Sequence, residues 1–288
     1  MRALVSACAL VFAAQAIGGH GADAIRKEEP VQRTLHFAGS GPHTLEVRTI
    51  SGDIRVEAYD GTDVIMTATR STSAESSADF EAAQRDVTLD VADGADTIKV
   101  VARYLGGETC GEEIRHQHDR DGPDYSVRYD FTLRVPRDTR LVLCTINDGH
   151  LDVKGTRADF VLRSVNGPID MADMGGSGEA TTVNGAVKGS FSAPPRADSV
   201  FRTVNGSIVL TMPPSFAADL RLKTFNGGLY TDFDIQTTTD TQAVVSEHRE
   251  KQTTYQVNAF ATVRIGKGGP KLTIDTLNGD VRILRGAH

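Results

Sequence analysis

Tryptophan is absent from the chain, and aromatic residues of all kinds make up only 6% of its 288 positions. The stacking platforms that line many sugar-binding clefts would have to come from 6 Tyr and 11 Phe, which weighs against a deep carbohydrate pocket. There is little cysteine, with 3 residues in all. Beyond the N-terminal segment no apolar run approaches the roughly 18 residues of a membrane-spanning helix. Large charge of one sign is also missing: 31 basic and 38 acidic residues leave a net charge of −7. That mild acidity favours solubility and excludes a general nucleic-acid binder. No Gly-x-Ser-x-Gly elbow, phosphate-binding loop or His-Glu-x-x-His motif occurs, so the common hydrolase and nucleotide-binding signatures are lacking.

The N-terminus reads as an export signal. Arg2 precedes an apolar stretch from Ala3 to Ile17, and the small-residue site Ala22-Asp23-Ala24 follows at the expected distance. Cleavage is expected after Ala24, with residues 25–34 as a linker. Removal of Arg2 and Asp23 leaves the net charge unchanged at −7. A lipoprotein-like Val5-Ser6-Ala7-Cys8 comes too early for a full apolar segment to precede it. Two cysteines then remain, Cys110 and Cys144. In an oxidising compartment they are a disulfide candidate, closing a loop of about 35 residues worth on the order of 3–4 kcal/mol in the chain-entropy model.

What the chain does have is a phrase repeated along its length. Ser164-Val-Asn166-Gly167, Thr182-Val-Asn184-Gly185, Thr203-Val-Asn205-Gly206, Thr224-Phe-Asn226-Gly227 and Thr276-Leu-Asn278-Gly279 are copies, with looser versions at Thr49-Ile-Ser-Gly52 and Thr145-Ile-Asn-Asp-Gly149. The glycines at 149, 167, 185, 206 and 227 are spaced by 18, 18, 21 and 21 residues before a longer gap to 279. A period near twenty points to stacked units instead of one globular core. Apolar and polar residues alternate on both sides of each Asn-Gly, which marks β-strands around a tight corner. Asn and Gly tolerate the positive φ that such a corner calls for.

Aligned copies place like on like: Leu162, Ala180, Phe201, Leu222 and Ile274 before the corner, then Leu151, Ile169, Val187, Ile208, Leu229 and Val281 after it. Val165, Val183, Val204, Phe225 and Leu277 form a third apolar column, and all three are expected to face the interior of a stack. The expected fold is all-β, a β-solenoid or right-handed β-helix of coils about 18–21 residues long. Residues 35–135 are read as an irregular N-terminal β region with a short helix near 77–85 and a loop at 105–124. Residues 136–288 are read as the regular repeats, with an insertion near 236–252 and Leu272 to Leu284 as the terminal coil.

Few residues offer chemistry. In the loop, His116 and His118 share a strand face and Asp119, Asp121 and Asp124 surround Gly122, but neither zinc spacing nor a complete calcium loop results, and a solvated charged loop is expected. Acidic residues follow several corner glycines, at Asp53, Asp152, Asp170 and Asp280, without forming an evident carboxylate pair of the kind glycosidases use. Stacked asparagines are expected to bond to one another along the corner. No cofactor or metal is implied. The best binding candidate is an outward basic column, Arg163, Arg202 and Lys223, with Tyr230 and Arg282 nearby.

Asp130-Phe-Thr-Leu-Arg-Val-Pro136, the Thr-Val-Asn-Gly coils and Phe225-Asn-Gly-Gly-Leu-Tyr-Thr-Asp-Phe233 together resemble the bacterial putative-adhesin family of exported β-repeat cell-envelope proteins, over roughly residues 35–285. The resemblance implies a β-helix or related solenoid and carries no catalytic residues. It favours a non-enzymatic envelope or surface-interaction protein that meets extracellular polymers or surface proteins. A polysaccharide lyase or hydrolase on the same scaffold is the rival reading, and an envelope-stress component the second.

Overall fold

The computed structural model describes residues 24–104, 124–237, 245–249, 252–256 and 261–286. In chain order the first elements are β1 (Ile25–Leu35), β2 (Thr44–Arg48), β3 (Ile54–Tyr59), β4 (Val64–Ala74), α1 (Ser77–Asp86), β5 (Thr88–Asp93), β6 (Thr97–Arg103) and β7 (Tyr125–Pro136). The repeats follow as β8 (Arg140–Asn147), β9 (Leu151–Lys154), β10 (Phe160–Asn166), β11 (Ile169–Met174), β12 (Gly178–Thr181), β13 (Val187–Phe191), β14 (Ser199–Asn205), β15 (Ile208–Met212), β16 (Ala218–Asn226) and β17 (Leu229–Thr231). The chain closes with β18 (Ile235–Thr237), β19 (Val245–Arg249), β20 (Gln252–Gln256), β21 (Ala261–Ile265), β22 (Lys271–Asn278) and β23 (Val281–Arg285).

These strands build two mixed sheets that do not close into a barrel. One runs β1-β4-β7-β3-β9-β11-β13-β15-β23-β17-β20-β19, the other β18-β21-β16-β22-β14-β12-β10-β8-β2-β6-β5. The two strands flanking each Asn-Gly therefore lie in different sheets and are not hairpin partners. Each pairs in parallel with its counterpart one repeat away: Leu162 beside Ala180, Ala180 beside Phe201, Ile169 beside Val187, Val187 beside Ile208. At the ends of the sheets the pairing turns antiparallel, in β1-β4-β7, β5-β6, β16-β21-β18 and β17-β20-β19.

Period-two burial explains the arrangement. In β14 Ser199, Phe201 and Thr203 are buried while Arg202 is exposed, and in β15 Ile208, Leu210 and Met212 are buried. Inward residues of both sheets form one core, in which Phe131, Phe160 and Phe201 are almost fully enclosed. Phe191 meets Phe201 edge to face, their centroids 6.0 Å apart. Burying each such ring contributes about 1.5–3 kcal/mol. Helix α1 is capped by Ser76, whose Oγ accepts the Asp79 N–H at 3.2 Å, and it packs near β4 through buried Arg70, whose Nη2 donates to the Ala83 carbonyl at 2.9 Å.

Three expectations change. Residues 25–34 are no linker: they form most of β1, paired with β4 along its whole length, because Val31 and Leu35 alternate with polar residues and give the segment an inward face. The last copy is not the terminal coil. Strands β22 and β23 sit between β14/β15 and β16/β17, in register with both neighbours, because any copy of the repeat offers the same columns. The third apolar column points outward: Phe225 is 63% exposed, Leu277 46% and Val183 38%. Inward pointing alternates along a strand, and the buried position is taken by the Thr or Ser just before it. The expected charged loop at 105–124 lies outside the described residues except for exposed Asp124.

The corner glycines answer to proximity, since only Gly52 and Gly279 among them have φ in the left-handed half of the map. A Cβ on Gly206 would stand 2.5 Å from the Gly185 carbonyl carbon of the neighbouring rung. Gly206→Ala is therefore expected to cost about 1–3 kcal/mol as overpacking against backbone. Urea unfolding measures it, and a loss below roughly 0.5 kcal/mol would show that the rungs are not held this close.

Candidate functional site

The most regular feature of the surface is the corner where the chain passes from one sheet to the other. Parallel in-register pairing brings Asn147, Asn166, Asn184, Asn205, Asn278 and Asn226 into one row. Each amide Nδ2 donates to the Oδ1 of the rung before it: Asn166 to Asn147 at 3.3 Å, Asn184 to Asn166 at 2.7 Å, Asn205 to Asn184 at 2.8 Å, Asn278 to Asn205 at 2.7 Å and Asn226 to Asn278 at 2.7 Å. With rungs about 4.8 Å apart, the row is roughly 24 Å long. Each amide keeps one N–H and one oxygen lone pair for an outside partner.

Beneath the row lies a second ladder. The buried threonines donate from Oγ1 to the glycine carbonyl of the preceding rung: Thr145 to Gly52 at 3.0 Å, Thr182 to Gly167 at 2.9 Å, Thr203 to Gly185 at 2.8 Å, Thr276 to Gly206 at 2.9 Å and Thr224 to Gly279 at 2.8 Å. Ser164 occupies the same column, but its buried Oγ makes no hydrogen bond. Beside the asparagines runs the outward apolar column, half-buried at Ile146, Val165 and Val204 and open at Val183, Leu277 and Phe225. The amide row and the apolar column thus run side by side, and no charge stands in either.

The basic column is placed differently from its sequence reading. Arg163 and Arg202 lie on the outward face of the second sheet, with Thr181 between them, and Asp275 separates Arg202 from Lys223. Arg163 pairs with Glu179 at 3.5 Å and Arg202 with Asp275 at 3.3 Å. Tyr230 and Arg282 belong to the first sheet, side by side in β17 and β23, where the guanidinium sits over the ring at 4.7 Å and pairs with Asp280 at 3.0 Å. The five residues therefore do not share one face.

The acidic residues after the glycines hold the corners together. Asp280 accepts the Gly228 backbone N–H at 3.0 Å, and Asp53 accepts that of His150 at 3.0 Å. Asp53 also binds Arg128 and Arg55, both at 2.8 Å, and Arg128 clasps Asp130 through Nε at 2.9 Å to each oxygen. Burial raises the Asp53 pKa, but the His150 N–H and the Arg128 and Arg55 cations outweigh it and leave the carboxyl below the usual aspartate range. The same pairing with Asp130 and Asp53 pushes Arg128 upward against burial. Asp152 and Asp170 are direct neighbours between Arg55 and Lys188, and the Asp170 carboxylate stands 2.7 Å from His150 Nε2, off the line of a hydrogen bond. The ion pairs of Asp53 with Arg128 and Arg55, and of Asp280 with Arg282, tie neighbouring segments together at the corners.

Among the described residues, no group of three or more His, Cys, Asp or Glu is placed to hold a metal ion, and no helix is long and apolar enough to cross a membrane. His116, His118, Asp119 and Asp121 lie outside the described residues. Cys144, on β8, is disulfide-bonded, while Cys110 lies outside the described residues.

No family model and no curated protein matches the chain. Among solved structures, a putative cell adhesion protein from Clostridium sporogenes is 9% identical with a TM-score of 0.40, over 91% of this chain and 100% of that one. A putative lipid binding protein from Parabacteroides distasonis is 10% identical, TM-score 0.24, over 90% and 97%. A putative adhesin from Parabacteroides merdae is 9% identical, TM-score 0.25, over 91% and 96%. Likeness at this level assigns neither a family nor a ligand.

A depressed carboxyl pKa adds stability above its unfolded value, and that stability is lost as pH falls through the folded one. Asp53→Asn should accordingly be less stable than the parent near pH 7, with the gap closing below about pH 4, where the unfolded carboxyl protonates. Urea midpoints of both chains across that range test it. A gap of constant size would assign the effect to geometry and not to the Asp53 charge.

Proposed function

We propose that this chain is an exported, non-enzymatic cell-envelope or surface-interaction protein, adhesin-like in its use of a β-solenoid, and that its asparagine corner binds an extended neutral polymer such as a glycan strand. The observation that carries this reading is the uninterrupted row of six amides flanked by an exposed apolar column. Amide N–H and C=O groups match sugar hydroxyls, and the apolar column matches the C–H faces of a sugar ring. Each contact is weak, while a polymer that meets many rungs at once gains avidity.

Anionic polymers suit the surface less well, because Arg163 and Arg202 are already paired with Glu179 and Asp275. The bound carboxylates at Asp53 and Asp280 support a binder over a lyase or hydrolase. The disulfide at Cys144 fits maturation in an oxidising compartment. Its proposed partner is Cys110. The resemblance to exported adhesin-like repeat proteins belongs to the same reading, as does a division into N-terminal β region and regular repeats near residue 136.

The test is retention on a panel of envelope and extracellular polysaccharides, with polymer length followed in parallel. Val183→Ser, Leu277→Ser and Phe225→Ser together are expected to weaken retention by roughly tenfold, an energy of about 1.4 kcal/mol spread over three exposed side chains. Arg163→Glu, Arg202→Glu and Lys223→Glu together should leave it unchanged. Shortening of the polymer, or retention abolished only by the charge reversal, would overturn the proposal.

A further inference from the structure

Two equal intervals of sequence rise by different amounts. Gly185 and Gly206 are 21 residues apart and occupy adjacent rungs. Gly206 and Gly227 are also 21 residues apart, yet the rung of β22 and β23 stands between them. Counted between register-matched positions, the connection that spans the doubled rise, residues 213–219, is as long as residues 192–198, which span a single one. The same stretch of chain therefore reaches either one rung or two.

The register on either side of the insert is identical. Phe201, Ile274 and Leu222 are in line, as are Thr203, Thr276 and Thr224, Asn205, Asn278 and Asn226, and Ile208, Val281 and Leu229. Were the β22–β23 unit withdrawn, β14 and β16 would face each other as the same kind of like-on-like neighbours that form every upstream rung. The core loses Leu272, Ile274, Val281 and Ile283 in that event, so the unit is held by burial while its slot has an alternative closure. It is joined to β21 through Gly266-Lys267-Gly268-Gly269-Pro270, with φ of 58°, 76° and 157° at the three glycines, so that freedom sits at the glycines and Pro270 fixes the entry into β22. End-on stacking is obstructed at β1, which carries Glu28, Glu29 and Pro30 on a terminal strand.

We propose that β22–β23 is an exchangeable insert and that the partner it fits is a second copy of this chain, whose slot between β14/β15 and β16/β17 receives it in a reciprocal swap. Exchange preserves every ladder and every buried contact, so the swapped dimer and the monomer differ mainly in the hinge at 266–269 and in association entropy.

The experiment uses the full chain in two populations, each with one cysteine added to the native ones. Val209 and Arg282 are neighbours across β15 and β23 on the outward face. A Val209→Cys population is mixed with an Arg282→Cys population, held below the unfolding temperature, and oxidised. Only exchange sets these positions side by side between two molecules, within the Cα separation a disulfide requires. The expected result is a covalent heterodimer at roughly ten times the yield of a Lys188→Cys with Arg282→Cys mixture, whose positions lie two rungs apart. A chain carrying both Val209→Cys and Arg282→Cys should close its own disulfide, showing that the substitutions fold, and once oxidised should stay monomeric. Equal yields in the two mixtures, or no heterodimer while the double variant closes internally, would overturn the proposal.

Discussion

Everything in this molecule depends on the close approach of successive corners. A glycine carbonyl of one rung accepts the threonine hydroxyl of the next, as Gly185 does from Thr203 at 2.8 Å, and the approach is possible only because the residue above it, Gly206, carries no Cβ. That contact sets the register. Once Thr203 is fixed, Phe201 must enter the core, Asn205 must reach the ladder and Val204 must point outward. A slip of one residue would exchange the inward and outward sets in every strand.

The same register decides what the surface can offer. Outward positions of the sheets carry mixed charges that find partners across strands, Arg202 with Asp275, or nearby, Arg128 with Asp53 and with Asp130 of its own strand, and isolated exposed pairs of this kind contribute little each. The corner is different in kind. Its amides repeat without interruption, no charge stands in their row, and they lie beside the apolar side chains that the core did not take. Rigidity comes from the ladders themselves, since a side chain bonded to its neighbours on both sides loses little further freedom when a ligand meets it.

Much of this was legible in the primary structure. Aligning Leu162, Ala180 and Phe201, or Ile169, Val187 and Ile208, reproduces the observed neighbours, because identical short phrases in parallel register have only one way to bury their apolar residues. The asparagine ladder was equally readable. The outward turn of Val183, Leu277 and Phe225 was not, because the Thr that takes the inward place before each of them bonds to a glycine carbonyl in another rung, and no local pattern announces that bond. The basic residues were read as one patch, although Arg282 and Arg202 lie in different sheets. Period-two alternation tells which side of its own strand a residue occupies and says nothing of which sheet the strand joins.

The chain by itself determined the all-β character, the rung length and the residues that share a column, since each follows from local periodicity and from the geometry of glycine at a corner. Only the tertiary structure decided the order of the rungs. The repeat that ends at Asn278 is compatible with any level of the stack, and its place between Asn205 and Asn226 is a choice among near-equivalent neighbours that is settled by long-range packing and by the reach of residues 213–219. A repeating sequence specifies strongly what may lie beside what, and for the same reason specifies weakly which copy comes next.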